Sequence, residues 1–311
     1  MKDRPEGFDE RLLRPALGEW GIEAATLDYA PVGFGDYHWV ADGRWFLTVA
    51  DVRRRSFDGL RLAMETAAAL REEARLGFVV APLRTSGGAT LVRLDSHRYA
   101  LSVFPLVDGQ AGDFGQEISP AERGLIIDLL AELHRTPAPL STPDRPLELP
   151  GRAGLEQSLL DAHRPWLGGP YAEPARELVA GHAEMLRRRL REFDRLAEKP
   201  GEPVVTHGEP HPGNLLRAGE RRLLVDWDTV GLAVPERDLW LVARGPEDLA
   251  RYADATGRTP DQTAMELYRL RWALDDVAEF VAWFRSPHGR TPDAEESWAG
   301  LTGTLQGLAA G

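Results

Sequence analysis

The chain has 311 residues, 43% of them hydrophobic and 28% charged, which suits an ordinary globular protein with two domains or two lobes of one catalytic unit. Its formal net charge of −12 argues against general nucleic-acid binding, which needs basic surface to displace counterions, and is compatible with a cationic small substrate. The absence of cysteine excludes disulfides, thiolate nucleophiles and Cys-ligated zinc or iron–sulfur sites.

The opening stretch MKDRPEGFDE lacks the apolar core of a signal peptide, and no run approaches the ~20 apolar residues needed to span a bilayer. A cytoplasmic protein without membrane or nucleic-acid partners is expected; the oligomeric state is open. Residues 8 to 20 predict a first short helix through Phe8, Leu12, Leu13 and Leu17. Two strand-like runs follow, Tyr29 to Val40 and Arg44 to Val49, joined by Asp42-Gly43, a strong hairpin signal. The first of them carries Gly33-Phe34-Gly35-Asp36. Leu60, Met64, Ala68 and Leu70 recur at helical spacing and predict a helix from Phe57 to Leu76. Val79-Val80, Ala89 to Arg93 and Arg98 to Val103 read as three more strands.

Beyond Phe104-Pro105-Leu106-Val107-Asp108-Gly109 the pattern turns helical. Ser119-Pro120-Ala121-Glu122 is a capping box with Pro at the first helical position, opening a helix to His134. Residues 137 to 150 hold five prolines and read as an extended connector. Helices are expected at about 153 to 165 and 172 to 198. The Arg187 to Arg191 cluster reads as a solvated helix face, and His134, His163 and His182 as structural, since they lack metal-ligand spacing.

The stretch VVTHGEPHPGNLLRAGERRLLVDWD, Val204 to Asp228, concentrates the chemistry. Pro203-Val204-Val205 and Leu223-Leu224-Val225 look like strands. Between them a Pro/Gly-stiffened loop carries His207, Glu209, His211 and Asn214, and the second run delivers Asp226 and Asp228. A carboxylate followed five residues later by Asn, then by Asp at the end of a nearby strand, is the layout kinases use to orient a substrate hydroxyl and to hold Mg²⁺ on nucleotide phosphates. The plainer reading is a β-hairpin and turn with incidental acids.

His207-Gly208-Glu209-Pro210-His211-Pro212-Gly213-Asn214 followed by Val225-Asp226-Trp227-Asp228 resembles the aminoglycoside phosphotransferase family of protein-kinase-like small-molecule kinases. Its loop reads His-Gly-Asp-x-His-x-x-Asn and then Ile/Val-Asp-Trp/Phe-Asp; Val234-Pro235-Glu236-Arg237-Asp238-Leu239 matches the family's usual continuation. The resemblance implies an α+β, two-lobe protein-kinase-like fold, with a small antiparallel-sheet lobe at 1–103, a hinge at 104–109 and a larger helical lobe at 110–311. It implies that Glu209 orients and deprotonates the acceptor hydroxyl, that His207 braces the loop, and that Asn214 and Asp226 hold Mg²⁺. Gly33 and Gly35 would approach the phosphates of ATP, with GTP as the alternative, and Phe104 and Leu106 would meet the base at the hinge.

Two positions depart from the family's pattern. Glu209 stands where Asp is usual, one methylene longer in a reaction that depends on positioning. Thr48 stands where the phosphate-binding lysine is usual, and Lys2 and Lys199 are the only lysines. Arg44, the Arg53 to Arg55 run, Arg61 or the backbone must then carry that charge. Glu65, the possible ion-pair acid of the following helix, is expected to be a solvated surface residue.

After Asp238-Leu239-Trp240 a short helix precedes a long one, roughly Pro260 to Phe284. Leu267, Leu270, Leu274, Val277, Ala278, Val281 and Phe284 share one face. Opposite them lie Trp272, Asp276, Glu279 and Trp283, with Asp275 at the edge. Acids interleaved with Trp suit an ammonium through ion pairing and cation–π attraction; equally, the Trp rings could pack against a last helix, Ala294 to Leu308, that includes Trp298. Asp228 could serve the metal, the substrate or the following turn. The expected activity is ATP-dependent phosphorylation of a hydroxyl on a cationic small molecule, an aminoglycoside or aminocyclitol antibiotic first, with resistance as the outcome. The alternatives are a metabolic kinase acting on choline, homoserine, a sugar or a nucleoside, and a nucleotide-binding pseudokinase without turnover.

Overall fold

The computed structural model describes residues 1–53, 55–95, 98–197 and 201–310. Arg54 of the arginine run, the last residue of the predicted 172–198 helix and Lys199 lie outside the described residues. The chain forms two compact units, 1–146 with 202–260, and 147–201 with 261–311.

In the first unit, β1 (Leu27–Ala30), β2 (Tyr37–Ala41), β3 (Trp45–Asp51), β4 (Val92–Leu94) and β5 (Tyr99–Pro105) form an antiparallel sheet in the order β1-β2-β3-β5-β4. The β2–β3 turn is at Asp42-Gly43, where both residues take positive φ, 52° and 60°, the primed geometry whose twist matches that of the strands. Alternate residues Trp39 and Ala41, Leu47 and Val49, and Leu101 and Val103 point to one face. There they are buried with Leu13 and Leu17 of α1 (Leu13–Leu17). The predicted strand from Tyr29 to Val40 is two strands, interrupted by bends at residues 33–36 because Gly33 (φ 68°) and Gly35 (φ 102°) leave the extended region.

Helix α2 (Phe57–Glu72) is N-capped by Ser56 and packs against the turn at Trp227–Thr229. Val79-Val80 forms no strand of its own but a single parallel bridge to Leu224. The unit also holds β6 (Gln110–Ala111), α3 (Pro120–Arg135), β7 (Val204–Thr206), β8 (Leu215–Ala218), β9 (Arg221–Leu224), β10 (Gly231–Ala233), α7 (Glu236–Val242) and α8 (Pro246–Thr256). The hairpin reading of Val204 to Asp228 does not hold: β7 pairs with β10, whereas β9 pairs with β8, which pairs with β6. The loop thus joins two separate small sheets. The proline-rich connector also has partners, since Leu232 donates to Pro143 C=O at 2.8 Å and Arg145 N–H to Leu232 C=O at 3.0 Å.

The second unit consists of helices α4 (Arg152–Leu160), α5 (Ala172–Gly181), α6 (Ala183–Leu196), α9 (Gln262–Arg285) and α10 (Pro292–Ala310). Its core joins Leu155, Val179, Leu186, Phe193, Leu274, Val281, Phe284 and Leu301. The predicted 172–198 helix is two helices. Gly181 weakens the helix locally, and the His182 ring Nδ1 meets the Leu178 carbonyl at 2.8 Å, ending α5. All seven residues assigned to the inner face of α9 are buried.

Candidate active site

The loop after β7 is held by its own side chains. The fully buried His207 accepts the Glu209 N–H on Nδ1 at 3.2 Å and donates from Nε2 to the Val225 carbonyl at 2.9 Å. Burial lowers its pKa to about 4, with Asp238 opposing, so the ring is neutral, as that tautomer requires. Its ring lies edge-on to buried Trp227, 4.5 Å between centroids. One imidazole therefore joins the residue carrying the candidate base to the residue preceding the candidate metal acid.

Beneath it, Asp238 at the start of α7 accepts the His207 and Gly208 N–H groups at 2.8 and 2.6 Å. His134 Nε2 lies 3.0 Å from the same carboxylate, and Tyr252 OH 2.9 Å from His134 Nδ1. Burial works to raise the Asp238 pKa, but His134, Arg237 and His207 outweigh it and the net shift is downward. Arg237 completes the base of the loop, donating to Thr206 Oγ1 at 2.7 Å and to Thr229 C=O at 2.8 Å.

Asn214 ends the 3₁₀ turn Pro212–Asn214. Its Nδ2 donates to the Glu209 carbonyl at 3.0 Å; a carbonyl can only accept, so Oδ1 is the end that is left to bind a ligand. The Asn214 carbonyl in turn accepts from Val225 N–H at 3.0 Å, which puts Asn214 beside Asp226. Asp226 adopts the left-handed conformation, φ 63° and ψ 65°, where Asp is among the few tolerated residues. Burial first, and then the charge of Asp36, raises its pKa to about 6, against Arg55. Its surface nevertheless remains open to water.

Asp228 is not a free acid. Its side chain is ion-paired with Arg55 Nη1, and its carbonyl accepts from Arg145 Nη2 at 2.9 Å. Arg55 Nη2 also lies 3.6 Å from Asp36 Oδ1, at the end of the glycine bend. Asp36, Asp226, Asp228 and Arg55 thus form one cluster. Asn214 Oδ1 and Asp226 are hard oxygen donors suited to Mg²⁺. Among the described residues no three His, Cys, Asp or Glu side chains form a metal cage, so these two residues would share an ion with phosphate oxygens and water. The crowding of carboxylates against Asp226 is what a cation would relieve.

The other predicted positions are distributed as follows. Thr48 Oγ1 faces His38 Nδ1 at 3.2 Å across the β2–β3 ladder. Glu65 is half-buried and paired: it meets Arg84 at 2.8 Å and accepts from Thr90 Oγ1 at 3.0 Å. Phe104 stands opposite Phe46 on β5, and the Leu106 N–H is spent on the Arg44 carbonyl at 2.8 Å. The Val103 carbonyl, on the opposite side of β5, accepts from Leu83 N–H. On α9, Trp272, Asp275, Asp276 and Trp283 are half-buried and Glu279 is exposed. Trp283 packs against the helical core, and Asp275 pairs with Arg271 at 3.3 Å. Trp298 packs against the same core and stacks on Tyr171, 5.9 Å between centroids.

Sequence reasoning missed Arg145 and Thr229 and gave Asp238 no role. Asp238 was visible only as part of the Pro-x-x-Asp-Leu continuation; Arg145 carried no signal beyond lying in a proline-rich connector.

Residues 37–271 match the sequence model of the phosphotransferase enzyme family. The chain is 28% identical over 295 residues to Protein StrN of Streptomyces griseus, covering 90% of this chain and 86% of that one. Its fold is similar to that of spectinomycin phosphotransferase APH(9)-Ia, solved with ADP and spectinomycin (TM-score 0.76, 16% identity, covering 98% of this chain and 99% of that one). It is also similar to that of a microcompartment-associated aminopropanol kinase (TM-score 0.63, 16% identity, 97% of each chain).

Proposed function

Because the chain belongs to the phosphotransferase enzyme family, an α+β group of protein-kinase-like small-molecule kinases, we propose that it transfers the γ-phosphoryl of ATP to a hydroxyl of a cationic small molecule. The observation that carries this reading is the pinning of Asn214: with Nδ2 on the Glu209 carbonyl and its main chain on Val225, it offers Oδ1 beside Asp226. Glu209 orients and deprotonates the acceptor hydroxyl, and His207 keeps Glu209 in register with the metal acid. Asn214 and Asp226 would hold Mg²⁺, which would supply charge neutralisation at the phosphates. Gly33 and Gly35 take positive φ, so backbone can approach those phosphates without a Cβ. At the hinge, the alternation of β5 leaves the Pro105 carbonyl facing away from β3; with Leu106 N–H already spent, residues 105 and 107 are better placed than Phe104 and Leu106 to meet adenine.

The substrate proposed is an aminoglycoside or aminocyclitol. Asp276 and Glu279 beside Trp272 and Trp283 give α9 the chemistry of ammonium recognition, and the similar spectinomycin phosphotransferase was solved with such a compound. A smaller amino alcohol shares the ammonium and the hydroxyl, and the likeness to the aminopropanol kinase supports that second reading. ADP release measured across aminocyclitols, aminoglycosides and simple amino alcohols separates them. No ADP release with any of these would end the proposal.

A further inference from the structure

Resting on the kinase reading above, we propose that Arg55 supplies the phosphate-binding cation that a strand lysine supplies in the resembling family, and that Asp228 and Asp36 hold its guanidinium when no nucleotide is bound. Both halves of the usual lysine–glutamate pair have been reassigned here. Thr48, at the lysine position, is hydrogen-bonded to His38, whose ring stacks on Phe46 at 4.9 Å between centroids. Burial keeps that imidazole neutral, with a pKa lowered to about 3. The pair therefore offers no charge. Glu65 is committed to Arg84 and Thr90.

The other arginines near β3 point to other duties. Arg53 grips Asp51 with Nε at 3.0 Å and Nη2 at 2.6 Å. Arg61 lies 3.8 Å from Asp58, one turn back on α2. Arg44 is exposed and lies over the Trp45 ring, 5.2 Å from its centroid. Among the described residues of this group, Arg55 alone joins the glycine bend to the metal segment, pairing with Asp36 on one side and Asp228 on the other. A nucleotide whose phosphates run from Gly33 and Gly35 towards Asp226 passes the same guanidinium. Its planar fork suits two phosphate oxygens as well as two carboxylates.

The test compares ADP with adenosine, which differ only in the phosphates, by titration calorimetry with Mg²⁺ present. For Arg55→Gln, ADP affinity is expected to fall about tenfold or more while adenosine affinity is unchanged; retained adenosine binding also shows that the variant folds. Arg53→Gln should leave both affinities as they are. Asp228→Asn, which frees the guanidinium but keeps it, should preserve or raise the preference for ADP. An Arg55→Gln protein with wild-type preference for ADP overturns the assignment, as does an Asp228→Asn protein that loses it equally. Wild-type protein that binds neither compound would sink the kinase reading and Arg55 with it.

Discussion

Asp238 accepts the Gly208 N–H at 2.6 Å, and this bond fixes the bend on which the candidate base is mounted. Gly208 has φ 101°, and a Cβ on it would sit 2.6 Å from Arg237 Cζ and 2.7 Å from Thr229 Oγ1, so both the backbone and the space demand glycine there. Asp238→Ala removes the acceptor for two loop amides and leaves His134 facing an apolar gap. The expected loss is about 3–5 kcal/mol of stability, the range for breaking a buried charged network. Because the folded-state pKa of Asp238 lies below its ordinary 3.8, its stabilisation is fully present above that value and fades as pH falls through the lower one. Denaturant unfolding should therefore show a wild-type advantage at pH 7 that shrinks at more acidic pH.

Gly208→Ala should leave nucleotide affinity near that of the wild type but lower kcat, since the strain falls on the mounting of Glu209 and not on the glycine bend. A displacement of ~1 Å at a reacting group costs ~10²-fold. Steady-state kinetics with ATP and an accepted substrate measure this directly. An unchanged kcat would mean the loop tolerates the shift.

Glu209→Ala should reduce kcat by ~10²-fold or more, as expected for loss of a general base, with little change in KM for ATP. Glu209→Asp is the sharper test. On the proposed role of Glu209, shortening the side chain by one methylene draws the carboxylate back from the acceptor hydroxyl, so the residue usual in the family should be worse than Glu by about tenfold. An Asp variant as active as the wild type would show that this site accepts either reach.

The parts of this site that lie close together in sequence were legible, and those joined across the chain were not. The Asp42-Gly43 turn and the spacing of Glu209, Asn214 and Asp226 are local, so residue type and interval reveal them, whereas the bend at Gly33 and Gly35 breaks a run that reads as one strand. The inner face of α9 was likewise given by its period. By contrast, β7 reads like half of a hairpin with the run at 223–225, and only tertiary pairing shows that β10 is its partner. Glu65 reads as solvated because its partners Arg84 and Thr90 are far along the chain, and the Asp228 partner is Arg55, 173 residues away. Charge pairing at that range leaves no periodic trace.

Asp276→Ala with Glu279→Ala should raise KM for a cationic acceptor at least tenfold while KM for ATP moves little. Equal effects on both KM values would mean that this face of α9 is structural.

Asp226 gives the pH dependence its sign. Burial and the neighbouring Asp36 raise its pKa to about 6, so the ionised form is disfavoured in the folded protein. For stability, a carboxylate with a raised pKa costs the fold most above that pKa and nothing below its ordinary 3.8. Asp226→Asn should therefore raise Tm at pH 8, where the charge is removed, and leave it unchanged near pH 4. Asn also tolerates the left-handed backbone at this position, so no strain offsets the gain. For function the sign is opposite, because only the carboxylate binds a hard cation. Mg²⁺-dependent ADP affinity in the wild type should weaken as pH falls through about 6, approaching tenfold per unit below it. In Asp226→Asn the affinity should be low and nearly flat over the same range. A variant that gains Tm at pH 8 yet keeps the wild-type Mg²⁺ response would separate the carboxylate's charge from the metal and leave Asn214 without its partner.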